Sequence, residues 1–108
     1  MKTAMKALLI AAILAAPLTS GFAADVNIDQ LGQKFDPNTV SLGAGDVVHF
    51  KNGDDVTHNI NVIDADDNAD DKGLQKPGQE IVHKFTKPGT YLVKCAIHPK
   101  MKMTVTVK

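Results

Sequence analysis

Three side chains with metal-binding chemistry recur at three-residue intervals near the C-terminus: Cys95, His98 and Met101, in Cys95-Ala96-Ile97-His98-Pro99-Lys100-Met101. A loop between two strands can fold such side chains onto one point, whereas a straight strand sends alternate ones to opposite faces. His58 stands 37 residues before Cys95. It shares a period-two face with Val56, Ile60 and Val62, which turns its imidazole inward. Two imidazoles, a thiolate and a weak thioether are the donor set of a mononuclear copper centre for one-electron transfer. Zinc would use the Cys and both His but leaves the Met unexplained. A nucleophilic Cys–His pair would need a third group to orient the base and a cleft that so short a chain hardly offers. A Cys that is merely a small buried hydrophobe leaves the histidines unexplained. Copper accounts for all four residues.

Strands, not helices, must position them. After residue 24 the apolar pattern has period two and is punctuated by Gly, Pro, Asn and Asp, the signature of short strands between turns. The pattern predicts strands at Val26–Gln30, Thr39–Leu42, Val47–Lys51, Val56–Ile63, Glu80–Phe85, Tyr91–Lys94 and Met101–Val107. About seven such strands imply an all-β fold, an antiparallel Greek-key β-sandwich. Asp64 to Gly73 carries Asp64, Asp66, Asp67, Asp70 and Asp71 and lacks the sixth-position Gly of a calcium loop from either start. It reads as a solvated acidic loop. His49 and His83 fall at ordinary strand positions and read as surface histidines.

The N-terminus reads differently. Lys2 and Lys6 precede the unbroken apolar run Ala7–Ala16, then Pro17 and the small residues of Gly21-Phe22-Ala23. That is the layout of a secretory signal peptide, with cleavage expected after Ala23. Ten apolar residues at about 1.5 Å each reach only half of a roughly 30 Å hydrocarbon core, so no membrane span is expected. The expected organisation is a signal peptide at 1–23 and one domain at 24–108, exported to the periplasm. The chain has 108 residues, and its 12 cations, all Lys, balance 12 acids. That balance speaks against nucleic-acid binding. The single Cys cannot form an internal disulfide, and an unpaired thiol in an oxidising compartment is a liability unless a metal occupies it.

The chain resembles the cupredoxins, in particular the plastocyanin- and amicyanin-like copper proteins. The resemblance runs through Phe35-Asp36-Pro37 with Val40, Gly45-Asp46-Val47-Val48-His49-Phe50-Lys51-Asn52, His58-Asn59 and Phe85-Thr86-Lys87-Pro88-Gly89-Thr90-Tyr91, and ends on the Cys-x-x-His-x-x-Met loop. It implies one copper ion, cycling between Cu(I) and Cu(II), held by His58, Cys95, His98 and an axial Met. Met101 has the amicyanin-like spacing and Met103 the plastocyanin-like one, so spacing leaves both open. The family's last strand, Met-x-Gly-x-Val-x-Val, fits Val105 and Val107 only if Met101 is axial. Met103 then replaces the family's Gly and packs beneath the site. The resemblance places Asn59 where the family ties its two ligand loops together; a turn-edge amide is the other reading. Tyr91 resembles the aromatic that locks a Greek-key corner.

The function implied is periplasmic electron transfer by a monomer between a donor and an acceptor protein, both bound transiently. The alternative is a copper carrier or buffer in copper homeostasis. No enzymatic activity is expected, because a full copper site leaves no open position for substrate. Seven of the 12 acids lie between Asp54 and Asp71, whereas Lys100 and Lys102 flank Met101. An acidic partner surface is therefore expected at the copper end.

Overall fold

The computed structural model describes residues 22–108, so most of the expected signal peptide lies outside the described residues. Nine strands are described. β1 (Asp25–Leu31), β2 (Lys34–Asp36), β4 (Asp46–Asn52) and β7 (Glu80–Phe85) form one sheet in the order β2-β1-β4-β7. β3 (Thr39–Leu42), β5 (His58–Ile63), β6 (Ala69–Gln75), β8 (Gly89–Cys95) and β9 (His98–Val107) form the other, in the order β3-β9-β8-β5-β6.

Alternation makes the core. Ile28, Phe35, Val48, Phe50 and Phe85 point inward from the first sheet, and Leu42, Ile60, Val62, Val93, Cys95, Met101, Met103, Val105 and Val107 from the second. Each fully buried aliphatic or aromatic side chain contributes about 1.5–3 kcal/mol, and two facing sets of them hold a sandwich without a disulfide. Tyr91 closes the corner after Pro88, its hydroxyl donating to the Lys87 carbonyl at 2.7 Å.

Four expectations need correction. Two strands escaped the sequence pattern, β2 and β6, because each has few inward apolar residues. β6 runs through the supposed acidic loop: it is the edge of its sheet, exposed along most of its length, and an edge strand needs only one partner and favours charge. The sandwich is also not purely antiparallel, since β1 pairs with β4, and β3 with β9, in parallel. Both parallel pairs arise because the chain crosses between the sheets around β3. Finally, β5 begins at His58, and Val56 lies before it, 37% exposed.

His49 and His83 are both half-buried and not freely exposed. His49 is clamped on the outer face of β4 between Glu80 (Nδ1 to Oε2, 2.8 Å) and Asp25 (Nε2 to Oδ1, 2.9 Å). Those carboxylates raise its pKa above the ordinary 6.5. His83 lies edge-on to Phe85, ring centroids 4.6 Å apart, and burial, with Lys72 nearby, lowers its pKa.

Candidate metal centre

The ends of β5, β8 and β9 meet at one end of the sandwich. β8 and β9 are joined by the two-residue turn Ala96-Ile97, with Cys95 opposite His98. The next pair inward is Lys94 with Lys102, so one step along β8 is matched by four along β9. Pro99, Lys100 and Met101 are the surplus. This bulge breaks the strict alternation of a strand and lets Cys95, His98 and Met101 approach the same point.

The donors converge. His58 Nδ1 lies 3.1 Å from His98 Nδ1, and Cys95 Sγ lies 3.8 Å from the first and 3.6 Å from the second. Among the described residues these three form the one group of His, Cys, Asp or Glu whose donor atoms all lie within 4.8 Å of one another. Nitrogen and sulfur donors bound at about 2.0–2.3 Å in a trigonal plane would stand roughly 3.5–3.8 Å apart. The two nitrogen–sulfur spacings match a single transition-metal ion, and the shorter nitrogen–nitrogen spacing would open by about 0.4 Å to admit one. His58 and Cys95 are wholly buried and Met101 nearly so, whereas His98 keeps an edge in solvent. Met101 and His98 line the same shallow cleft, while Met103 sits deeper, paired with Val93.

Neighbouring residues hold the donors in place. His58 turns its other nitrogen, Nε2, to Asp54 Oδ2 at 2.8 Å. The same carboxylate accepts from the backbone of Gly32 (Oδ1, 2.6 Å) and Gln33 (Oδ2, 2.8 Å). Those two residues form the β1–β2 turn, both at positive φ (63° and 57°), as a two-residue hairpin requires. Burial pushes the Asp54 carboxyl up, but the bonds from His58, Gln33 and Gly32 outweigh it and hold its pKa below the ordinary 3.8. A carboxylate behind a ligating imidazole sets its tautomer and orientation. The sequence pattern places Asp54 only at the start of the acidic stretch and does not single it out for this role. Its place four residues before His58 was the available signal, but Asp55 is as near.

Asn59 ties the two donor segments together. Its Oδ1 accepts from the Ala96 amide at 2.9 Å, and its Nδ2 donates to Asp71 Oδ1 (2.8 Å) and the Gly73 carbonyl (3.1 Å). The bulge that makes this possible lies where β6 passes Ile60 and Asn61, beside Gly73 at φ 97°. Only glycine adopts that conformation without strain.

A two-sheet β-sandwich with a His, Cys, His and Met group at one end defines the cupredoxin class of copper protein. Residues 22–108 match the sequence model of copper binding proteins of the plastocyanin/azurin family. Plastocyanin of Ulva prolifera is 39% identical over 84 residues, spanning 68% of this chain and 86% of that protein. The fold is similar to the reduced state of an amicyanin mutant, with a TM-score of 0.71 and 26% identity over 81% of this chain and 90% of that one. It is also similar to a copper-containing nitrite reductase from Thermus scotoductus, with a TM-score of 0.70 and 29% identity over 78% of this chain but only 22% of the reductase. The chain belongs to the plastocyanin/azurin family of copper-binding proteins.

Proposed function

We propose that this protein is an exported, monomeric one-electron carrier in which His58 Nδ1, Cys95 Sγ, His98 Nδ1 and, at longer range, Met101 hold a single copper ion. The observation that carries the reading is the convergence of both Nδ1 atoms and the Cys95 sulfur within 3.8 Å of one another. When bound, copper supplies a reversible one-electron couple. The chain's own task is to keep the donors still, so that little rearrangement accompanies a change of charge. Asp54 fixes the His58 ring, Asn59 fixes the Cys95–His98 turn, and the Met101–Val107 strand is packed into the core. How far such a geometry is imposed on the metal is debated. The residues need only hold it constant.

His98 is the route in and out, since it alone of the four donor residues reaches solvent. An apolar collar stands around this end of the sandwich. Ile97 (49% exposed) adjoins His98, Leu31 (49%) adjoins the β1–β2 turn, Val56 (37%) precedes His58, and Leu74 (67%) pairs with Asn59. Exposed apolar side chains gathered in one region mark a docking surface, here for transient donor and acceptor proteins. The collar and the burial of His58, Cys95 and Met101 favour electron transfer over copper delivery, because a carrier must open its ligands to release metal. They also leave no open ligand position for substrate, so no enzymatic role is assigned.

Cleavage of a signal peptide after Ala23 and location in the periplasm belong to the same reading. Among the described residues Ala24 is the first tied into the sandwich: its carbonyl accepts from the Val47 amide at 2.9 Å and its amide donates to Asp46 at 2.9 Å. Among the described residues no helix is long and apolar enough to cross a membrane.

The test is direct. Copper(II) added to the purified protein should produce an intense visible thiolate-to-copper band with one ion bound per chain. Cys95→Ser should abolish the band while leaving the far-UV spectrum of the sandwich unchanged. A colourless complex, or one whose colour survives Cys95→Ser, overturns the assignment.

A further inference from the structure

The lysines around the donor cluster are arranged in a way that neither the collar nor the site requires. Lys100 lines the cleft that contains His98, Met101 and Ile97. It also lines the adjoining cleft with Lys34, Lys102, Phe35 and Asn38. No acidic residue lines either one; Asp36 lines the next cleft along, which it shares with Lys34 without an ion pair between them. Lys94 stands directly opposite Lys102 across the β8–β9 ladder. Like charges in that position destabilise a sheet, so folding alone does not account for them. Among the described residues the one lysine in an ion pair is Lys72, with Asp70 at 3.7 Å. Lys34, Lys94, Lys100 and Lys102 therefore present an uncompensated basic face beside the solvent-exposed edge of His98.

The acids lie elsewhere. That holds for the Asp64–Asp67 turn, which follows Ile63 at the end of the sandwich away from the donors, because β5 runs away from the donor end. Of the acids near the donors, Asp54 is taken up by His58 and the Gly32 and Gln33 amides, and Asp71 by Asn59. Of the 12 lysines, Lys2 and Lys6 precede the described residues, which leaves ten against 12 acids and a formal charge of −2. Net charge and local charge at the donor end have opposite signs. At low ionic strength, where the screening length is about 30 Å, an approaching anion feels the whole distribution. Near contact the lysine face dominates.

We propose that the physiological redox partner presents an acidic surface that docks on the Lys34–Lys94–Lys100–Lys102 face, so that the protein is oriented by this face and brings His98 to the contact. The proposal rests on the electron-carrier reading and specifies the partner that reading leaves open. The collar supplies the close apolar contact, and the lysines supply steering and exclude cationic partners.

The experiment uses the copper(I)-loaded protein and two small oxidants of opposite charge. One electron passes from the reduced protein to hexacyanoferrate(III), leaving hexacyanoferrate(II); the parallel reaction uses the tris(phenanthroline)cobalt(III) cation, leaving cobalt(II). The expected result is that the anionic oxidant reacts more slowly as salt rises, against the sign of the net charge. Replacing Lys34→Gln, Lys100→Gln and Lys102→Gln together should slow it about 10-fold at low salt, with no slowing of the cationic oxidant and an unchanged visible spectrum. In the diamagnetic copper(I) form, a hexaglutamate peptide should shift the amide NMR signals of Lys34, Lys94, Lys100 and Lys102. A rate with the anion that rises with salt, or is unchanged in the triple variant, overturns the proposal. So does peptide binding at the β5–β6 end, or binding to phosphatidylglycerol vesicles without binding to the peptide. Failure to transfer an electron to either oxidant refutes instead the carrier reading beneath it.

Discussion

Asp54→Ala removes one carboxylate that serves three donors: His58 Nε2, Gly32 N and Gln33 N. The last two are backbone groups in an exposed turn and can turn to water, so each bond lost costs only about 0.5–1 kcal/mol net. His58 is wholly buried, and an orphaned buried donor costs about 1–3 kcal/mol. The expected loss is about 2–5 kcal/mol in urea unfolding of the metal-free protein. Copper affinity, read by competition with a chelator, should fall about 10- to 100-fold, because the imidazole loses the group that holds its tautomer and orientation. Asp54→Asn should fall between, since an amide oxygen at the Oδ2 position still accepts from His58 and Gln33 but not from Gly32. The pH dependence has a definite sign. The folded carboxyl titrates below 3.8, so its contribution is present above that value and is lost as pH falls through the lower folded value. The gap between wild type and Asp54→Ala should therefore close in acid. A variant within about 0.5 kcal/mol of wild type, binding copper as tightly, would refute the claim that this carboxylate positions His58.

Other outcomes follow from the same geometry. Met101→Leu should keep the visible band but shift the reduction potential, because a weak thioether donor tunes the potential of such a site. Met103→Leu should leave the potential alone and cost under about 1.5 kcal/mol, as a volume-conserving core swap does; cyclic voltammetry separates the two, and equal shifts would contradict the assignment of Met101. His49 has a pKa raised above 6.5 by Glu80 and Asp25, so its contribution is complete below 6.5 and is lost as pH rises through the folded value. His49→Gln should abolish that decline in thermal unfolding curves of the metal-free protein, and a decline that persists would assign it to another group. Gln30 is fully buried, and among the described residues no group bonds either polar atom of its side-chain amide. Gln30→Leu should thus be neutral or stabilising by up to about 2 kcal/mol, whereas a marked loss in urea unfolding would show the amide to be satisfied.

Much of this molecule is legible in the order of its residues. Strict alternation is a local property, so Thr39–Leu42 and Glu80–Phe85 are bounded correctly by pattern alone, and Met101, Met103, Val105 and Val107 are recognisable as one inward row. Cys95, His98 and Met101 are legible for the same reason: their types and spacing are local, and few other roles account for a thiol, an imidazole and a thioether in one short turn. β2 and β6 are not legible. Their residues are mostly polar, and they are strands because Gln30 and Asn59 offer ladders for them to pair with. Local propensity contains no record of such a partner.

The amino-acid order by itself determined the kind of sandwich, the inward row of its last strand and the residue types available to a metal. Tertiary structure alone decided that β1 and β4 run parallel, that Asp54 rather than Asp55 stands behind His58, that Asn59 spans to Ala96, and that Lys34 joins Lys100 and Lys102 beside His98. The physical reason is separation along the chain. Side-chain period and turn chemistry act over a few residues, whereas hydrogen bonds and charge act through space between distant residues, which meet only once two sheets have closed on a common core. Even Asp54, four residues from His58, is held in place by Gly32 and Gln33 from the β1–β2 turn.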